Sequence, residues 1–100
     1  MVRIESKNEN LYAYLSGEID HASSQSMREE IDFEVEKYHP QKLFLDFRGV
    51  TFMDSSGIGL VMGRYKQMEP IGGEVYVINT SSHIKKVMSL SGLDRLVTLE

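Results

Sequence analysis

The stretch Leu43-Phe44-Leu45-Asp46-Phe47-Arg48-Gly49-Val50-Thr51-Phe52-Met53-Asp54-Ser55-Ser56-Gly57-Ile58-Gly59 changes its periodicity midway. Leu43 to Phe47 is a short apolar run with polar residues on both sides, the pattern of a buried strand. Beyond Asp54, the apolar residues Ile58, Val61, Met62, Tyr65 and Met68 recur at helical spacing. Pro70, Gly72 and Gly73 close that helix. A strand that turns through a short polar segment into a helix is the first half of a parallel crossover.

The same alternation continues outward in both directions. Glu74 to Ile78 is a second β-rich run, and Asn79-Thr80-Ser81-Ser82 supplies caps for another helix. That helix faces the core with Ile84, Val87, Met88 and Ser91, and Gly92 suits the left-handed position after its end. Leu96, Val97 and Leu99 suggest a last short strand. Toward the N-terminus, Val2 to Lys7 alternates apolar and polar residues, Asn8-Glu9-Asn10 turns, and Leu11, Ala13 and Leu15 resume the alternation until Gly17. This predicts an antiparallel hairpin. Asp20 is placed to cap a helix whose core stripe is Met27, Ile31, Val35 and Tyr38, ended by His39-Pro40. The element order is ββαβαβα(β). It predicts an α/β fold in one domain over residues 1–100. An N-terminal hairpin joins a small mixed sheet whose later strands are linked by right-handed crossovers.

Composition narrows the function classes. The chain has 100 residues, 11 Lys+Arg against 15 Asp+Glu, a net charge of −4, and no cysteine. One domain of this length has no cleft between domains. No basic run exceeds Lys85-Lys86, which argues against nucleic acid as a partner. The missing cysteines exclude disulfides, thiolate catalysis and zinc–cysteine sites, and favour a reducing, cytoplasmic compartment. The first residues lack the apolar core of a signal peptide. No apolar stretch approaches the ~20 residues that span a bilayer, so no membrane association is expected.

The candidate for chemistry is Asp54-Ser55-Ser56-Gly57-Ile58-Gly59. A nucleophile-elbow serine needs G-x-S-x-G, but Met53 or Asp54 stands where the first glycine belongs. The P-loop spacing fails, since Gly63 is followed by Arg64-Tyr65. The dinucleotide pattern begins with Gly57 and Gly59 but ends on Met62. His21, His39 and His83 have no metal-ligand spacing, so neither metal nor cofactor is expected. Two hydroxyls remain at a helix N-terminus, after an aspartate and before a glycine. The free amides and dipole of that helix end tolerate an anion on Ser55. Gly57 and Gly59 leave room for another protein's surface. Simple capping by Asp54 or Ser55, with glycines for tight packing, explains the same residues. Ser56, Leu60, Gly63, Arg64 and Gln67 share three- and four-residue spacing opposite the apolar stripe and are expected to be exposed, either as a docking face or as an ordinary surface carrying a single leucine.

Asp54-Ser55-Ser56-Gly57-Ile58-Gly59-Leu60, preceded by Phe52-Met53, resembles the motif of STAS domains, the family of anti-sigma factor antagonists, and especially its anti-sigma F branch in spore-forming bacilli. Ser16-Gly17-Glu18-Ile19-Asp20 resembles the family's second motif. Gly63-Arg64-Tyr65-Lys66-Gln67, Gly72-Gly73-Glu74 and Ser91-Gly92-Leu93 extend the likeness from about Val2 to Leu99. The resemblance implies a non-enzymatic partner switch in sporulation. The unmodified protein would bind an anti-sigma factor that is also a serine kinase, releasing the sigma factor. Phosphorylation of Ser55 would inactivate it, and a PP2C-type phosphatase would restore it. Asp20 corresponds in position to a residue needed for kinase contact. The implied partner surface comprises Asp20, His21, Asp54, Ser56, Gly57, Gly59, Leu60, Gly63 and Arg64, on a protein monomeric when free. Family members commonly add a terminal helix, which this sequence, ending at Glu100, does not contain. A STAS module of a stress-signalling complex or of a transporter regulator would carry the same motifs. A small nucleotide-binding enzyme would have to do without a P-loop.

Overall fold

The computed structural model describes residues 1–100. The strands β1 (Val2–Lys7), β2 (Asn10–Ile19), β3 (Lys42–Met53), β4 (Glu74–Ile78) and β5 (Thr98–Leu99) form one sheet in the order β1-β2-β3-β4-β5. The hairpin β1–β2 is antiparallel, with Val2 opposite Leu15 and Lys7 opposite Asn10. All later neighbours are parallel. Asn8 takes a φ of 57° in the tight turn, a conformation that asparagine tolerates.

Three helices make the crossovers: α1 (His21–Tyr38), α2 (Ser55–Met68) and α3 (Ser82–Leu90). Each crossover steps one strand in the same direction, so crossovers of one hand place all three helices on one face. Strand alternation matches this arrangement. Leu11, Ala13, Leu15, Leu43, Leu45, Val75 and Val77 are buried on the helix side. On the other face Tyr12, Phe44 and Tyr76 stack across three strands, with ring centroids 4.5 and 5.0 Å apart. No helix is long and apolar enough to cross a membrane.

Ser91 caps α3 and is exposed rather than lying on its core face, and four further sequence expectations change. Strand β3 runs six residues past Phe47, because Gly49 to Met53 pair with Ser16 to Ile19. For the same reason β2 does not end at Gly17. It passes through register shifts on either side of that glycine, whose φ is 83°. Tyr38 is 48% exposed rather than part of the core stripe. It lies in the last turn of α1, just before the left-handed cap at His39, and its ring receives Lys37 instead. Finally, the side of α2 expected to face solvent is partly buried. Leu60 and Arg64 are only 3% and 4% exposed, because α2 packs against α1 as well as against the sheet. Ile58, Met62 and Tyr65 are half-buried against the core's margin.

Candidate functional site

The long register between β2 and β3 places two helix starts side by side. Glu18 is opposite Phe52 and Ile19 opposite Met53, so the next residues, Asp20 and Asp54, leave adjacent strands together. Neighbouring strands lie about 4.8 Å apart. The Asp54 amide donates to the Ile19 carbonyl at 3.1 Å and ties the two exits. Each aspartate then caps its helix, as its extended backbone and short carboxylate favour.

The two caps differ in detail. The Asp20 carboxylate accepts from the Ser23 amide at 2.9 Å, while the Ser23 hydroxyl oxygen accepts from the Asp20 amide at 3.0 Å. The Ser23 hydroxyl in turn donates to the Glu18 carbonyl at 2.7 Å. This reciprocal box holds the Asp20 carboxyl below its ordinary range, mainly through the Ser23 backbone bond. The Asp54 carboxylate accepts from the Ser56 amide at 2.7 Å, and the Gly57 amide donates to the Asp54 carbonyl at 3.0 Å.

Ser55 is the first residue of α2 and is exposed, and its hydroxyl has no partner within the protein. Ser56 is half-buried and turns toward α1, lining a shallow cleft with Ser24, Arg28, Gly59 and Leu60. The two serines are therefore not equivalent. The glycines separate as well. A Cβ at Gly57 would collide with the Met53 side chain, so this glycine is required by packing. A Cβ at Gly59 or Gly63 would meet nothing within 4 Å, so packing does not demand glycine there. His21 is exposed at the start of α1.

Three residues of the expected partner surface lie in the interior. Gly57 and Leu60 are buried, and Arg64 is buried in the α1–α2 seam. Its Nε lies 2.9 Å from Asp32 Oδ1, and Gln67 Nε2 donates to the Asp32 carbonyl at 3.2 Å. Desolvation raises the Asp32 pKa and lowers that of Arg64, in each case outweighing the partner's attraction. Simple helical spacing grouped Leu60 and Arg64 with Gly63. The neighbouring helix divides them.

Phe52 and His83 lie outside the partner surface expected from the sequence, yet border the site. Phe52 is 52% exposed at the penultimate position of β3, just before Met53 and Asp54. It borders an apolar hollow of about 340 Å³ shared with Val50, Met53, His83, Ile84 and Val87. An apolar side chain at the solvent-facing phase of an extended β3 was the available signal, hidden because the strand was expected to stop at Phe47. No three His, Asp or Glu side chains converge as metal ligands.

Comparison with known proteins agrees with this geometry. The STAS domain family matches residues 1–100. The anti-sigma F factor antagonist of Paenibacillus polymyxa is 33% identical over 89 residues, which cover 89% of this chain and 76% of the relative. The anti-sigma-B factor antagonist of Bacillus subtilis is 28% identical over 94 residues, covering 93% of this chain and 84% of the relative. Among solved structures, the unphosphorylated form of the anti-sigma factor antagonist SpoIIAA superposes with a TM-score of 0.86 at 29% identity, covering 100% of this chain and 88% of that one. The phosphorylated form of the Bacillus cell-fate determinant SpoIIAA gives 0.78 at 30% identity, covering 100% and 91%. With the five-stranded mixed sheet, the paired aspartate caps and the full-length match in hand, the chain belongs to the STAS domain family.

Proposed function

We propose that the chain is a phosphorylation-regulated anti-sigma factor antagonist acting in the cytoplasm. In its unmodified form it binds an anti-sigma factor that is also a serine kinase, and so frees the sigma factor. Phosphorylation on Ser55 ends that binding, and a PP2C-type phosphatase reverses it. The observation that carries this reading is the exposed, unpartnered Ser55 hydroxyl beside two aspartate-capped helix starts. The likeness to antagonists of two sigma systems supports it.

The docking surface of this proposal is Asp20, His21, Asp54, Ser55, Gly59 and Gly63, with the exposed edge of Ser56. Phe52 and His83 extend it toward α3. A phosphate on Ser55 adds about −1.5 to −2 charges between two carboxylates. At ~6–8 Å and a partly solvated surface, such a charge opposes an acidic group brought up by a docked partner by roughly 1–3 kcal/mol. That range corresponds to about fivefold to 150-fold in affinity. Within the domain the same phosphate sits at the positive end of α2, worth ~0.3–1 kcal/mol in its favour. Binding is lost while the fold persists.

Incubation with a candidate anti-sigma kinase and ATP, followed by mass spectrometry, tests the proposal. Modification appears on Ser55 and is absent from the Ser55→Ala variant. Modification on Ser56 instead overturns the assignment.

A further inference from the structure

The two edges of the sheet are unlike. The β5 edge is two residues long and offers little to pair with. The β1 edge is six residues long and pairs only with β2. Its outward-facing amides and carbonyls form a row that another strand can join. Arg3, Glu5 and Lys7 do not block that row, because their side chains project from the aromatic face, where Arg3 pairs with Glu5 at 3.1 Å.

Helix α1 runs along this edge and makes it a groove of about 460 Å³. Val2 and Ile4, the helix-facing residues of β1, form its apolar floor. Phe33 stands over it, 66% exposed, the most exposed aromatic ring in the molecule. Glu29, Glu30 and Glu34 rim it, and none of them is in an ion pair. The Asp20 and Ser55 residues take no part in it.

We propose that this groove docks an extended basic segment of a protein partner, which adds to β1 as a further strand. Backbone bonds to the edge hold it, and alternate side chains fall into two sets. The set on the helix side packs on Val2, Ile4 and Phe33. Lysine or arginine side chains beside them meet the three glutamates. The charge pattern selects this occupant over a second copy of the chain, since edge-to-edge pairing of two copies would bring two acidic rims together. The docking is independent of the state of Ser55, so it serves a partner held through both halves of a phosphorylation cycle.

A fluorescent synthetic peptide of about nine residues, alternating lysine with valine or isoleucine, tests this on the intact protein by anisotropy. Saturable binding is expected, weakened about tenfold or more by Phe33→Ser and by the triple variant Glu29→Lys, Glu30→Lys, Glu34→Lys. Methylating the peptide nitrogens that face β1 abolishes binding. Ser55→Asp leaves it unchanged. All of the altered side chains are exposed or half-buried, and a melting curve confirms that each variant is folded. Undiminished binding by the triple variant, or by the methylated peptide, overturns the proposal. So does loss of binding in Ser55→Asp, which would place the peptide at the serine site. A concentration-dependent dimer dissolved by Phe33→Ser would hand the groove to a second copy and also overturn it.

Discussion

Two strips of α2 lie one residue apart in sequence and face different worlds. Ser55, Gly59 and Gly63 run along the open side, with no atom of the protein near a Cβ at either glycine. Ser56, Leu60 and Arg64 run along the seam against α1, half-buried at the first position and buried at the other two. A rotation of about 100° separates a strip available to a partner from one consumed by the fold. Substitutions on the first are therefore read in binding, and on the second in stability.

The largest expected effect falls on the seam. Leu60→Ala removes a buried side chain and lowers the unfolding free energy by about 2–5 kcal/mol. At ~4–8 °C per kcal/mol for a domain of this size, calorimetry will show it plainly. A melting temperature within a couple of degrees of the parent would return Leu60 to the surface.

Ser55→Asp tests the open strip. On the proposed function, affinity for the anti-sigma kinase falls by roughly fivefold to 150-fold, an effect of about 1–3 kcal/mol, while the fold is retained. Ser55→Ala keeps the affinity. Equal binding of the two variants would remove electrostatic block as the basis of the switch.

Gly59→Ala makes the contrast sharper, because its two readouts move in opposite directions. The added methyl meets nothing in the protein, and alanine favours the helix by ~0.5–1 kcal/mol. Stability rises while partner affinity drops. A stabilised variant that binds normally would show that the glycine is not there for close approach.

Within the seam, the double variant Asp32→Leu, Arg64→Met is expected to lie within about 1 kcal/mol of the parent. Desolvation already outweighs attraction on both sides of the Arg64–Asp32 pair, and replacing both members leaves no charge unpaired in the seam. A loss as large as that of Leu60→Ala, measured by urea denaturation, would show that the pair is a stabilising anchor.

The smallest effect is a pH dependence at Asp20. Its carboxyl is held below the ordinary value of 3.8 by the Ser23 amide. A depressed native pKa contributes stability above the unfolded value, lost as pH falls through the native one. Asp20→Asn keeps an acceptor at the cap without a titrating charge. Its melting temperature therefore falls less steeply than the parent's as pH drops below 3.8. Identical acid limbs would mean that the cap is not the source of the depression.

Much of this was legible from residue order alone. The hairpin, the three helices, the aspartate and serine caps and the left-handed Gly92 follow from local rules, and each stands where those rules put it. The paired caps were legible as two separate motifs. Their adjacency depended on a strand register that periodicity does not specify, since Gly17 and Gly49 interrupt the alternation where β2 and β3 continue to pair. Phe52 was hidden by the same interruption.

What the chain order determined by itself is local: an aspartate before each helix, a serine after the second aspartate, and apolar stripes at two periods. Those depend on neighbours within about four residues, where backbone geometry and capping act. Only the tertiary structure decided which sides of α2 meet water. A helix flanked by one sheet alone would expose Leu60 and Arg64. Packing α1 beside α2 buries them and leaves Ser55, Gly59 and Gly63 as the open strip. Burial is a property of what lies across the gap, and spacing along one helix does not carry that information.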